Sequence, residues 1–251
     1  MIHLLGTFQV LRDGQPVTGF ESDKVRALLA YLVEEVEQPQ RRELLAGLLW
    51  PNMPERQAKR NLRRALMNLR DAIGDRRTTP PFLRISRTKI QFNPLCKFKL
   101  DTRNFLQTWQ QPDCLNDIPA LQAAAALYQG DFLAGFSIAD SVGFEEWLLQ
   151  KRSDLRRRAW EAHHTLANYA AQHGHVTQAL HHARRQIALE PLHEASHRQM
   201  MRYLTFIDRH NEAIAHYQSL RNALLAELNV RPDEKTQQLY EKIRTRKPIV
   251  K

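Results

Sequence analysis

The spacing of apolar and polar positions changes period three times along the 251 residues. At the start it is two-fold. His3-Leu4-Leu5 and Phe8-Gln9-Val10-Leu11 are strand-prone runs, broken at Gly6 and turned at Asp13-Gly14, a dipeptide of the kind that closes hairpins. The period then becomes helical: after the N-cap candidates Ser22 and Asp23, Val25, Leu28, Leu29, Leu32, Val33 and Val36 recur at helix spacing until Gln38-Pro39 ends the run. A shorter helix follows from Glu43 to Trp50 and stops at Pro51. Asn52 and Pro54 open the most regular stretch of all, closed by Gly74, in which Ala58, Leu62, Ala65, Leu66, Leu69 and Ile73 form one apolar stripe. Alternation returns after the polar link Thr78 to Pro81. Leu83 and Ile85 face inward on one strand, and Ile90 and Phe92 on its return, around a tip from Ser86 to Lys89.

Beyond Asp101 the pattern is helical to the end. Residues 101–109, 118–128, 143–172, 176–189, 194–207, 211–228 and 232–244 each read as helix, separated by Gly130, Gly135, Gly174, Pro191 and Pro232. Ala213, Ile214 and Tyr217 echo Ala179, Leu180 and Ala183 at the 34-residue period of a helix-turn-helix repeat. A tetratricopeptide-like stack of two or three units is expected, without a regular array because Pro191 has no counterpart one period later. Such stacks offer a groove for proteins and carry no chemistry of their own. The predicted fold is mainly α with a small α+β part: an N-terminal winged helix-turn-helix domain over residues 1–98, then an all-α tetratricopeptide-like domain over 99–251.

Charge sharpens this picture. Residues 1–100 carry 18 Lys/Arg against 10 Asp/Glu, whereas 101–251 carry 19 against 17, so the net charge of +10 belongs mainly to the first hundred residues. Within them, 55–77 holds eight Lys/Arg against three Asp/Glu, opposite the apolar stripe. Solvated helix faces usually interleave both signs; a one-signed face suits a row of phosphates. From Arg84 to Lys99 there are five more cations and no acid. That is also the signature of an edge hairpin protected by charge.

In helix-turn-helix docking the later helix enters the major groove with its N-terminal residues nearest the base edges. Gln57, Arg60, Asn61 and Arg64 are therefore the expected base readers, since Arg suits guanine and Gln or Asn suits adenine. Arg56, Lys59 and Arg63, with Arg41 and Arg42 at the start of the preceding helix, are expected phosphate contacts, and Arg87 and Lys89 reach the backbone or minor groove from the hairpin tip.

Other signals are weaker. Cys96 and Cys114 have no CxxC spacing and read as buried thiols. No segment has the length of a membrane span and the start lacks a cleavage site, so a cytoplasmic location with no membrane partner is expected. His193–His197 spells HEASH, a literal zinc-peptidase motif, but no GxxH extension or third ligand follows; no metal, cofactor or catalytic residue is expected. Ten of eleven histidines lie between His163 and His216. Adjacent pairs diverge by about 100 degrees on a helix, so they read as solvated faces whose protonation would add positive charge below about pH 6. The run Lys151–Arg158 reads as a solvated face that could add phosphate contacts or meet an acidic partner.

Taken in order, KVRALLAY (24–31), ELLAGLLWP (43–51), the Leu-Arg pattern of 61–74, Asp101 with Phe105, LYQGDFLAGF (127–136), EPLHE (190–194) and AELNVRPDEKTQQLY (226–240) resemble bacterial activators of the antibiotic regulatory protein (SARP) type. The resemblance runs from about Ile2 to Ile243. It implies an OmpR/PhoB-like winged helix that binds direct repeats in double-stranded promoter DNA, commonly as a side-by-side homodimer. It also implies a helical bacterial transcriptional activation domain that takes part in dimer contacts and recruits RNA polymerase holoenzyme. Two features depart from the family: the tip Arg87-Thr88 lacks a glycine, and no GxxxxGK[ST] phosphate loop occurs, so an ATP switch is not expected within this polypeptide. The expectation is a sequence-specific transcription regulator, most simply an activator. The rival is a tetratricopeptide-like adaptor whose basic domain binds an acidic protein.

Overall fold

The computed structural model describes residues 1–248. They fold into two compact units, the first comprising Met1–Gln111 with Ala126–Leu155, the second Pro112–Ala125 with the chain from Arg156 onward.

In the first unit, β1 (Ile2–His3), β2 (Gln9–Arg12) and β3 (Gln15–Pro16) form an antiparallel sheet in that order, with Ile2 opposite Val10 and Leu11 opposite Pro16. Asp13 and Gly14 both have positive φ, 50° and 80°, the backbone that lets a two-residue turn follow the twist of its strands. Next come α1 (Asp23–Glu34), β4 (Gln40–Arg41), α2 (Arg42–Leu49) and α3 (Glu55–Ile73). Leu28, Leu29 and Leu32 of α1, Leu45 and Leu49 of α2, and Leu62 of α3 are all buried together in the core. All six predicted stripe positions of α3 are buried. Gly74 ends α3 in the left-handed region at φ 70°, and its amide donates to the carbonyls of Arg70 and Asp71.

The hairpin β5 (Leu83–Ile85) and β6 (Lys89–Phe92) gains a third strand, in the order β4-β6-β5, with Gln40 opposite Ile90. Gln40-Arg41 was not legible as a strand, because two residues have no period and Pro39 marks only a stop. Gln91, between the inward-facing Ile90 and Phe92, is also buried and donates to the Val36 carbonyl at 2.8 Å.

Residues 99–111 and 126–155 pack with these elements, which a cut after residue 98 would separate. Asp101 heads α4 (Asp101–Gln107), and its buried carboxylate accepts the amides of Leu4 (2.9 Å to each oxygen), Leu5 (2.9 Å) and Thr102 (2.8 Å). Further on, α5 (Ile118–Leu127) precedes a loop whose backbone extends the first sheet: Leu133 donates to the Leu4 carbonyl at 2.7 Å and Gly6 to that of Asp131 at 3.0 Å. Then α6 (Val142–Gln172) begins. Its basic run does not read as a solvated face throughout. Lys151 pairs with Glu34 (3.2 Å) and Glu35 (3.3 Å), while Arg152 donates to the carbonyls of Phe132, Leu133 and Phe136 at 2.6–2.9 Å. Burial pushes the Glu34 carboxyl above the usual range, and Lys151 opposes that. These two cations are thus tied to the first unit's own groups.

The second unit is helical: the end of α6, then α7 (Val176–Leu189), α8 (Glu194–Phe206), α9 (His210–Leu228) and α10 (Glu234–Arg244). Its core holds Leu180, Met201, Leu204, Leu239 and Ile243. Positions one repeat apart are matched in burial, Leu166 with Met200, Ala179 with Ala213 and Ala183 with Tyr217. No described helix is long and apolar enough to cross a membrane.

His173, His175 and His181 are exposed, as a solvated face requires, but two pairs depart from that expectation. His163 is buried, with Nδ1 3.0 Å from Nδ1 of His182; His197 is buried, with Nδ1 3.0 Å from Nε2 of His216. The second pair sits 34 residues after the first, so both occupy the same place in successive repeats. Burial lowers the pKa of His163 to about 3 and of His216 to about 4, with the partner imidazole adding to both, and lowers those of His182 and His197 as well. His163 and His216 therefore do not supply new positive charge just below pH 6. Each lowered value means that the unfolded chain takes up a proton before the folded one does, so stability contributed above pH 6.5 is lost as pH falls toward about 4. Thermal unfolding between pH 7.5 and about 4.5 should show a falling midpoint, with a smaller slope in a His163→Gln/His216→Gln variant.

The zinc-motif letters are occupied structurally. His193 stands at the N-cap position of α8 with Nδ1 3.0 Å from the Ser196 hydroxyl, the Glu194 carboxylate accepts the Asp233 amide at 2.9 Å, and His197 Nε2 lies 2.7 Å from the Pro191 carbonyl.

Candidate nucleic-acid interface

The exposed side of α3 is set by what its other side buries. Ala58, Leu62, Ala65, Leu66 and Leu69 fix the helix rotation, and Arg56, Arg60, Arg63 and Arg64 consequently stand exposed. Arg64 has 81% of its side chain in solvent and only a loose 3.9 Å approach to Glu21. Gln57 and Asn61 are half-buried beside them. Met67, 55% exposed, continues the face one turn after Arg63 and Arg64.

Lys59 is placed differently from the arginines. Its ammonium lies 2.6 Å from Glu55 and 3.2 Å from Glu43, and those carboxylates hold its pKa above the ordinary lysine value. A cation already shared by two acids releases few counterions when a phosphate approaches. Arg63→Ala is therefore expected to flatten the plot of log affinity against log salt by about 1, and Lys59→Ala by less than about half of that. Titration of duplex binding at several salt concentrations measures both slopes.

Three polar anchors hold α3 and the hairpin in register. Asn68 accepts the Glu21 amide and donates to the Gly19 carbonyl, both at 3.0 Å, tying the segment before α1 to α3. Asp75, just past the end of α3, is fully buried; it accepts Arg70 Nε at 2.8 Å and the Leu83 amide at 2.9 Å, which fixes the start of β5. Arg42 sends its amide to the Thr88 carbonyl at 2.9 Å and Nε to the Ser86 carbonyl at 3.1 Å, which places it as a brace of the hairpin.

The tip needs no glycine. Ser86 Oγ accepts the amides of Lys89 (2.9 Å) and Thr88 (3.3 Å), so a side chain closes the turn and Arg87 and Thr88 keep negative φ. Arg87 and Lys89 are exposed there, and Arg41 is exposed at the N-cap of α2. α3, the start of α2 and the hairpin tip thus present an arginine-rich set of side chains, with Arg42 and Lys59 engaged within the protein. Sequence reasoning missed Asn68, Asp75 and the engagement of Lys59. The acids at 43 and 55 were visible, one of them at i−4 from Lys59.

These elements define a winged helix followed by an all-α repeat domain. A family model described as the bacterial transcriptional activator domain matches residues 107–244, more than half of the chain. The chain belongs to that family, and a winged helix joined to that domain is the architecture of a SARP-type transcription regulator; such proteins are not enzymes. Among solved structures, the chain is similar to Mycobacterium tuberculosis EmbR in complex with a low affinity phosphopeptide. The TM-score is 0.72 at 20% identity, a likeness of fold. The match covers 99% of this chain and 66% of that one, just under two thirds of its length. A comparison with curated proteins gives no match.

Proposed function

We infer that this regulator binds double-stranded promoter DNA sequence-specifically, with α3 in the major groove and the hairpin tip along the backbone or minor groove. The observation that carries this reading is the exposed arginine face of α3, opposite a fully buried stripe on the same helix. Arg60 and Arg64, with Gln57 and Asn61, read bases; Arg41, Arg56, Arg63, Arg87 and Lys89 contact phosphates. Arg42 and Lys59 act on the same surface indirectly, by bracing the hairpin and by setting the local charge. DNA recognition lies within residues 1–98, two copies sit side by side on direct repeats, and residues 99–251 recruit RNA polymerase holoenzyme as an activator does. The protein acts in the cytoplasm.

Gel shifts with genomic fragments test this reading. Retention of a few fragments against excess competitor DNA supports it. Equal loss of all fragments, together with capture of an acidic protein by the full chain, would favour the adaptor reading instead.

A further inference from the structure

The second unit holds an open groove of about 1060 Å³, lined by the same faces of alternate helices. Asn168 and Ala171 come from α6, Arg202 and Phe206 from α8, and Lys235 and Lys242 from α10. Each pair is spaced three, four or seven residues apart, so each helix turns one face to the groove. This is the position at which a helical repeat offers an extended binding surface.

Its charge is one-sided. Arg198, Arg202, Lys235, Lys242 and Lys247 line it, and no Asp or Glu does. Arg198 is spent on the framework, held by Asp233 at 2.7 Å and Thr236 at 2.8 Å, and the others line the rim with no ion pair to any described residue. The floor is preorganised: Gln199 donates to Asn168 at 2.6 Å and to the Tyr203 hydroxyl at 2.9 Å, and Tyr203 donates to Asn168 at 3.2 Å. Ala171, Val176 and Leu239 give the wall apolar patches, and Phe206 is 62% exposed at its edge.

We propose that this groove binds an extended, acidic peptide segment of a protein partner, its carboxylates meeting Arg202, Lys235, Lys242 and Lys247 and its apolar side chains meeting the wall between them. The peptide is favoured over a nucleic acid because phosphates have no use for the apolar wall, whereas a chain that alternates acids with Leu or Phe uses both features. The inference rests on the reading that the helical half works through a protein partner, and names the surface and the chemistry.

The test is selection from a displayed library of random peptides on the immobilised full chain, in the presence of excess non-specific duplex DNA to occupy α3. The expected result is retained peptides enriched in Asp and Glu with interspersed apolar residues. A synthetic, dye-labelled winner should bind at least about tenfold more weakly to Arg202→Glu/Lys242→Glu, with an affinity that falls as salt rises. Retention of no peptides, no acidic enrichment, or binding that survives the charge reversal would overturn the proposal. Displacement of the peptide from the groove by the duplex would assign the surface to nucleic acid. The same variant leaves α3 intact, so gel shifts on it are expected to be unchanged; loss of promoter binding in the unaltered chain would count against the DNA reading alone.

Discussion

Substituting Ala for both Arg60 and Arg64 is expected to abolish the preference for cognate duplex while leaving weak, salt-sensitive binding. Each bidentate contact of an arginine with a guanine edge contributes roughly 1 to 3 kcal/mol, about 5- to 150-fold in affinity. The two residues lie one helical turn apart on one exposed face, so their losses are expected to couple rather than add. Fluorescence anisotropy with a cognate and a scrambled duplex separates the outcomes: the cognate affinity should fall to the scrambled value, and the scrambled affinity should fall much less. An equal drop on both duplexes would demote these arginines to phosphate contacts.

The largest expected loss of stability comes from Asp101→Ala. The buried carboxylate serves the amides of Leu4, Leu5 and Thr102. Leaving a buried amide unpaired costs about 1 to 3 kcal/mol, so three of them are expected to cost upward of about 4 kcal/mol. That corresponds to a fall of roughly 8 to 16 °C in the unfolding midpoint for a chain of this size. Asp101→Asn keeps one acceptor oxygen and should lose markedly less. Circular dichroism melts of the two variants at pH 7.5 provide the comparison.

The parts of the molecule legible in the sequence are those governed by periodicity. The stripe Ala58 to Ile73 predicted one buried side of α3, and each of its positions is buried. Asp13-Gly14 and Gly74 announced their turns because their backbone needs positive φ. The polar anchors have no period. Asn68 and Asp101 act on amides distant from them in the chain, Asp101 on residues nearly a hundred positions earlier, and Asp75 reaches across a loop to the start of the next strand; no period marks such pairings. Asp101 belonged to the family pattern, but its role as the acceptor for the first strand's end was visible only in three dimensions. The histidines misled for the same reason: the ring nitrogens that meet belong to partners 19 residues apart across neighbouring helices, which no local spacing marks. At the candidate interface, the arginines stand where amphipathicity puts them. Lys59 was assigned by charge alone, and the two acids beside it alter its part.

The central claim, that α3 lies in the major groove of a duplex, is tested most directly by methylation interference on a fragment the protein retains. Dimethyl sulfate modifies guanine at N7 in the major groove and adenine at N3 in the minor groove. The account predicts that N7 methylation at a few guanines blocks binding, and that Arg60→Ala removes the block at a particular one of them. Binding indifferent to N7 methylation throughout the fragment would contradict it.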